Sequence, residues 1–139
     1  MMSEAAGPSL RFRLGNIPVA VHPGFILISA LFAYQRPDAS LVAEWVAVSF
    51  LSVLVHELGH AAAFVAFGQS PRIELHQMGG TTYGDPRAVL SPAKTVAVYG
   101  AGPAMGFVLG GLLVLVARHV PEIGTRPLAA IAVRDLIWL

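Results

Sequence analysis

Residues Trp45–Phe67 read WVAVSFLSVLVHELGHAAAFVAF, an apolar stretch interrupted by His56, Glu57 and His60. These three are the only ionisable side chains in the roughly 27 residues between Glu44 and Arg72. About 20 apolar residues, rising 1.5 Å each, cross the hydrocarbon core of a bilayer. A charged group at its centre costs on the order of 2.5–3.5 kcal/mol, so three ionisable groups together require a compensating site. Histidines at i and i+4 lie on one helical face, where both imidazoles reach a single ion, and Glu57 stands beside them to act on a water. His56-Glu57-Leu58-Gly59-His60 is thus an HExxH motif, the core of a metal-dependent hydrolase, placed inside a membrane span.

Composition agrees. The 139 residues are 55% hydrophobic and 12% charged, against roughly 25% charged in an average soluble domain. A single membrane-embedded domain over residues 1–139 is expected, all-α and polytopic. The net charge is +1, with no basic stripe or aromatic-basic interleaving, which excludes nucleic acid as a partner. Cysteine is absent, so disulfides and thiolate ligands are excluded and any metal falls to His, Asp and Glu.

Three charge-free stretches predict transmembrane helices. The first lies between Arg13 and Arg36, where Pro18 and Pro23 confine regular helix to about Gly24–Tyr34. The second is Trp45–Phe67, closed by Gly68, Ser70 and Pro71. The third, about Thr95–Ala117, carries Gly100, Gly102, Pro103, Gly106, Gly110 and Gly111, small residues suited to close helix contact. A fourth begins near Pro127 and is too short to span before Leu139. The N-terminus has no ordered basic, apolar and small-residue regions, so no cleaved signal peptide is expected. Alternating spans place Arg11, Arg13, Arg72, Arg87 and Lys94 on one side, against Arg36, Arg118 and Arg126 on the other. That excess favours an inward N-terminus.

His60 precedes Pro71 by about 11 residues and Gly102-Pro103 follows Lys94 by about 8, which puts both roughly 12–17 Å from one interface. The Gly102-Pro103 break is therefore expected to face the motif and to line a polar cavity. Ser49, Ser52, His56 and His60 form a polar stripe, the serines bonding back to helix carbonyls. Ala61, Ala62 and Ala63 leave room for a neighbouring helix. Between the second and third spans, Ile73 and Leu75 alternate with polar residues and Gly79-Gly80 supplies a turn, predicting a short β-hairpin. Its open edge suits an extended substrate segment added as a strand.

His56–His60, the Gly79-Gly80-Thr81 segment and Ala101-Gly102-Pro103 occur in the order and spacing of the site-2 protease family, intramembrane zinc metalloproteases, which the chain resembles over nearly its whole length. Gly15–Pro23 also resembles the entry to the first helix in compact bacterial members. The resemblance implies Zn2+ bound by His56 and His60, Glu57 as general base and then acid, and substrate contacts at Gly79, Gly80, Thr81, Gly102 and Pro103. It further implies a transmembrane protein substrate, a lipid bilayer around the chain, and a bacterial inner membrane.

The sequence departs from the family pattern in two places. Gly106 stands where members commonly have an asparagine, and no Asp-Gly motif supplies the family's third zinc ligand. Asp85 precedes Pro86 and Asp135 follows Arg134, so neither matches that motif. The expectation is a piece of a longer protease, with His22 and Asp135 the candidate substitutes as third ligand and His76 and His119 ordinary exposed histidines. The competing class is a non-catalytic pseudoprotease or inactive fragment that binds membrane helices.

Overall fold

The computed structural model describes residues 8–119 and 127–138. Arg126 and residues 1–7, on which the signal-peptide and topology expectations partly rest, lie outside them. The described elements are β1 (Leu10–Leu14), β2 (Ile17–Val21), α1 (Pro23–Phe32), α2 (Ala39–Ala66), β3 (Arg72–His76), β4 (Gly79–Tyr83), α3 (Pro92–His119) and α4 (Pro127–Trp138).

Two of the three expected spans are present as long helices. α2 and α3, of 28 residues each, are long and apolar enough to cross a membrane. Large apolar side chains on α3 face outward, with Phe107 81% and Leu112 55% exposed. Such a surface suits lipid rather than water. The first expected span is corrected. Its regular helix is the 10-residue α1, about 15 Å long and half the thickness of the hydrocarbon core. The residues before it form β2, in which Val19 and Val21 are buried and Pro18 is exposed. A charge-free segment without helical periodicity is read equally well as a buried strand.

The expected hairpin exists as β3 and β4, but it is half of a four-stranded sheet, so the all-α class is corrected as well. The strand order is β1-β2-β3-β4. β1 and β2 pair antiparallel, β2 and β3 parallel, and β3 and β4 antiparallel. Gly15, at φ +59°, opens the two-residue loop between β1 and β2, where a hairpin turn with positive φ needs glycine. The β3–β4 turn falls at Gln77-Met78, with Gly79 and Gly80 already the first residues of β4. Val19, Val21, Ile73 and Leu75 form the inner face of the sheet and pack on Phe25 of α1 and on Leu54 and Ala61 of α2. The sheet therefore lies across the half of α2 that holds the HExxH turn.

α3 crosses α2 at that same turn. A Cβ on Gly59 would meet the backbone carbonyl of Ala101, and would lie 2.9 Å from Met105 Cβ. Gly59 is thus the point of close approach. Ala62 is exposed and Ala61 belongs to the sheet contact. Along α3 the approach is made at Gly102, whereas Gly100, Gly106, Gly110 and Gly111 have no neighbour within 4 Å of a built Cβ. The helix runs unbroken through Pro103.

Polar contacts secure the other end of α2. Asp38 caps the helix by accepting from the Leu41 amide at 3.1 Å. The Ser40 hydroxyl and then that amide hold its carboxyl below the usual carboxylate range. Arg36 reaches Asp135 of α4 at 2.6 Å and Glu44 of α2 at 3.5 Å, with its guanidinium 4.7 Å from the Trp45 ring centre. This cluster ties α4 to α2 about 18 Å from His56 at 1.5 Å per residue.

Gly59→Ala gains roughly 0.5–1 kcal/mol of helix propensity, but its methyl meets fixed α3 backbone, an overpacking cost of about 1–3 kcal/mol. The variant is expected to melt at a lower temperature than the parent in detergent; an equal or higher melting temperature would contradict this packing.

Candidate metal centre

Consecutive turns of α2 carry His56 and His60, so their rings lie on one face and meet edge to face, with centroids 4.9 Å apart and planes at 76°. The two Nε2 atoms are 3.2 Å apart. His60 Nδ1 lies 2.7 Å from the carbonyl oxygen of Val98 on α3. A carbonyl only accepts, so Nδ1 carries the proton; in the neutral tautomer this leaves the lone pair on Nε2, which faces His56. A metal-ligating histidine is commonly oriented in this way, by donating its other N–H to a backbone carbonyl.

The side chains fit a zinc ion. With zinc–nitrogen bonds of about 2.0–2.1 Å, two ligands of a tetrahedral site stand roughly 3.3–3.4 Å apart, close to the spacing observed. Glu57 adds a carboxylate, and one ligand atom from each of the three residues falls within 4.8 Å of the others. Gly102 leaves the space open. A Cβ there would lie 2.8 Å from His56 Nε2 and closer still to His60 Nε2, in the volume an ion shared by the two rings requires. Gly102 stands against the histidines, as the shared depth predicts, while Pro103 is exposed.

Neither candidate third ligand belongs to this group. Among the described residues it consists of His56, Glu57 and His60, and Asp135 is paired with Arg36 and Arg134. The His22 backbone N–H donates to the Leu75 carbonyl at the start of α1. His76 is half-buried, its Nε2 2.9 Å from the Thr81 hydroxyl, and His119 is exposed with Nδ1 2.9 Å from the Leu115 carbonyl.

Glu57 is 5% exposed and lies between α2 and β4. A Cβ on Gly80 would meet Glu57 Cγ at 2.5 Å, so glycine is needed where the strand passes the carboxylate. Thr82 Oγ1 is 2.7 Å from Glu57 Oε2. The three motif residues open onto a cavity of about 690 Å3, whose far wall includes Tyr83, Asp85 and Tyr99. Gln69, buried after the end of α2, accepts the Asp85 amide at 2.9 Å and pins that wall. Sequence reasoning missed Thr82, Val98 and Gln69. A carbonyl carries no residue signature, and Gln69 reads as one more polar residue beside a helix breaker.

Fold and site together define a class: a membrane protein with a His-Glu-His ligand group enclosed between two long apolar helices and a small sheet. The Peptidase M50B-like family profile matches residues 25–137, and the chain belongs to that family, the site-2 proteases. The fold is similar to that of the site-2 protease from Methanocaldococcus jannaschii, with a TM-score of 0.67 over 94% of this chain at 23% identity; the chain spans 61% of the length of that structure. No curated protein matches the sequence at a significant level.

Gly102→Ala places a methyl between the imidazoles. The folded variant is expected to lose most of its bound zinc by elemental analysis, and full zinc occupancy would show that the ion lies elsewhere.

Proposed function

We propose that the protein acts as an intramembrane zinc endopeptidase, cleaving peptide bonds in membrane-embedded protein substrates, with His56 and His60 as zinc ligands and Glu57 as the general base. The observation that carries this reading is the imidazole pair, 3.2 Å apart at Nε2, with His60 oriented by the Val98 carbonyl, beside a buried carboxylate. The bilayer, in the bacterial case the inner membrane, is the proposed setting.

A zinc ion at this position supplies Lewis acidity and lowers the pKa of bound water toward 7. The chain's own groups do the rest. Glu57 Oε1, which accepts no hydrogen bond among the described residues, takes the proton from the attacking water and returns it to the leaving amine. The cavity between α2, β4 and α3 admits water to a site otherwise walled by apolar helices. β4 is an edge strand that borders this cavity at Gly80 and Thr81. A substrate segment paired along it, extended and no longer helical, brings its peptide bond to Glu57. Gly79 at the start of the strand, and Gly102 beside the imidazoles with its neighbour Pro103, complete the proposed substrate contacts.

A second reading, a helix-binding member without catalysis, draws on the ligand count. Catalytic zinc sites use three protein ligands with an open position, and besides Glu57 the described group contains two histidines.

The test uses the full natural chain in detergent with transmembrane peptide substrates. Glu57→Gln is expected to reduce turnover by roughly 10²-fold or more while zinc content stays unchanged; retained turnover removes Glu57 from the base role. His56→Ala is expected to lose zinc and activity together, and unchanged metal content would place the ion on other ligands. Absence of turnover in the zinc-loaded parent would favour the non-catalytic reading.

A further inference from the structure

Where β2 and β3 build it, the inner face of the sheet is apolar, with Val19, Val21, Ile73 and Leu75 at 3% exposure or less. In the β3–β4 register Thr82 lies opposite Ile73 and Gly80 opposite Leu75. Paired residues share a face, so both β4 residues point toward α2. Alternation at position 82 calls for a side chain of valine's shape; the sequence has threonine, which adds a hydroxyl.

Thr82 is half-buried on this face, and a hydroxyl withdrawn from water is costly unless it is hydrogen-bonded. Thr82 Oγ1 lies 2.7 Å from Glu57 Oε2 and 3.0 Å from the Glu57 carbonyl oxygen. It has one proton to donate, and the carboxylate oxygen is both nearer and, when ionised, the stronger acceptor. Gly80, two residues earlier on the same face, provides the room: a Cβ there would stand 2.6 Å from Glu57 Oε1. One strand thus carries a gap and a donor matched to one carboxylate.

We propose that Thr82 is a positioning residue for Glu57. Its hydroxyl fixes Oε2, which leaves Oε1 free for the proton transfer. The proposal rests on the reading of Glu57 as general base. It makes β4 both the border of the substrate cavity and the support of the base, so that moving the hairpin releases the carboxylate.

Thr82→Val keeps the shape and removes the hydroxyl, whereas Thr82→Ser keeps the hydroxyl and removes a methyl. In the zinc-loaded full chain, Thr82→Val is expected to lower kcat roughly 10–100-fold, the usual range for a supporting contact, with KM and zinc content unchanged, and Thr82→Ser is expected to restore kcat. The contact itself is read without turnover, from melting temperatures of the metal-free protein. Thr82→Val is expected to lower the melting temperature in the parent and to leave it unchanged or raised in a Glu57→Ala background, where no buried carboxylate loses its donor. Equal shifts in the two backgrounds would overturn the contact. Coupled shifts with an unaltered kcat, or valine and serine behaving alike, would overturn the positioning role. A parent that cleaves nothing would sink the protease reading while the melting cycle still decides the contact.

Discussion

The close approach of α3 to the HExxH turn of α2 is the constraint on which the rest of the structure depends. At Gly59 and Gly102 the two backbones come near enough that a single Cβ on either would collide with the other helix or its side chains. That proximity brings the Val98 carbonyl to His60, which places a proton on Nδ1 and leaves Nε2 facing His56 Nε2, 3.2 Å away. Two ionisable rings inside an apolar helix would otherwise be a liability; here the Val98 carbonyl holds His60 and the two rings face each other.

The sheet does for Glu57 what α3 does for the histidines. Its inner face packs on the same half of α2 through Ile73 and Leu75, and β4 passes the carboxylate at Gly80 and Thr82. The charged cluster of Arg36, Glu44 and Asp135 fastens α4 at the far end of α2, well away from the chemistry. The site is thus held by rigid elements on two sides, while the loop pinned by Gln69 closes part of the cavity.

Much of this was legible in the sequence, because the strongest signals were spacing and charge. The i, i+4 histidines survive any error in helix boundaries, and counting residues from Pro71 and Lys94 set His60 and Gly102 at one depth without knowledge of the contact. Ile73 and Leu75 alternated visibly against charged neighbours. Ile17–Val21 has no such contrast, and a charge-free run flanked by arginines resembles a span although it is a strand and a short helix. Glycine marks turns, which points to Gly79-Gly80, yet Gly80 is small for the sake of Glu57. Gly59 lay within the motif itself, where its role as a helix contact was masked by the catalytic pattern. Thr82 and Val98 act through partners 25 and 38 residues away, contacts that only the assembled fold brings together.

The central claim is that one zinc ion sits between His56 and His60. X-ray absorption at the zinc edge of the loaded full chain tests it most directly. The account predicts two imidazole nitrogens at about 2.0–2.1 Å, with oxygen completing the shell. A shell without imidazole scattering, or one with a single imidazole, would contradict it.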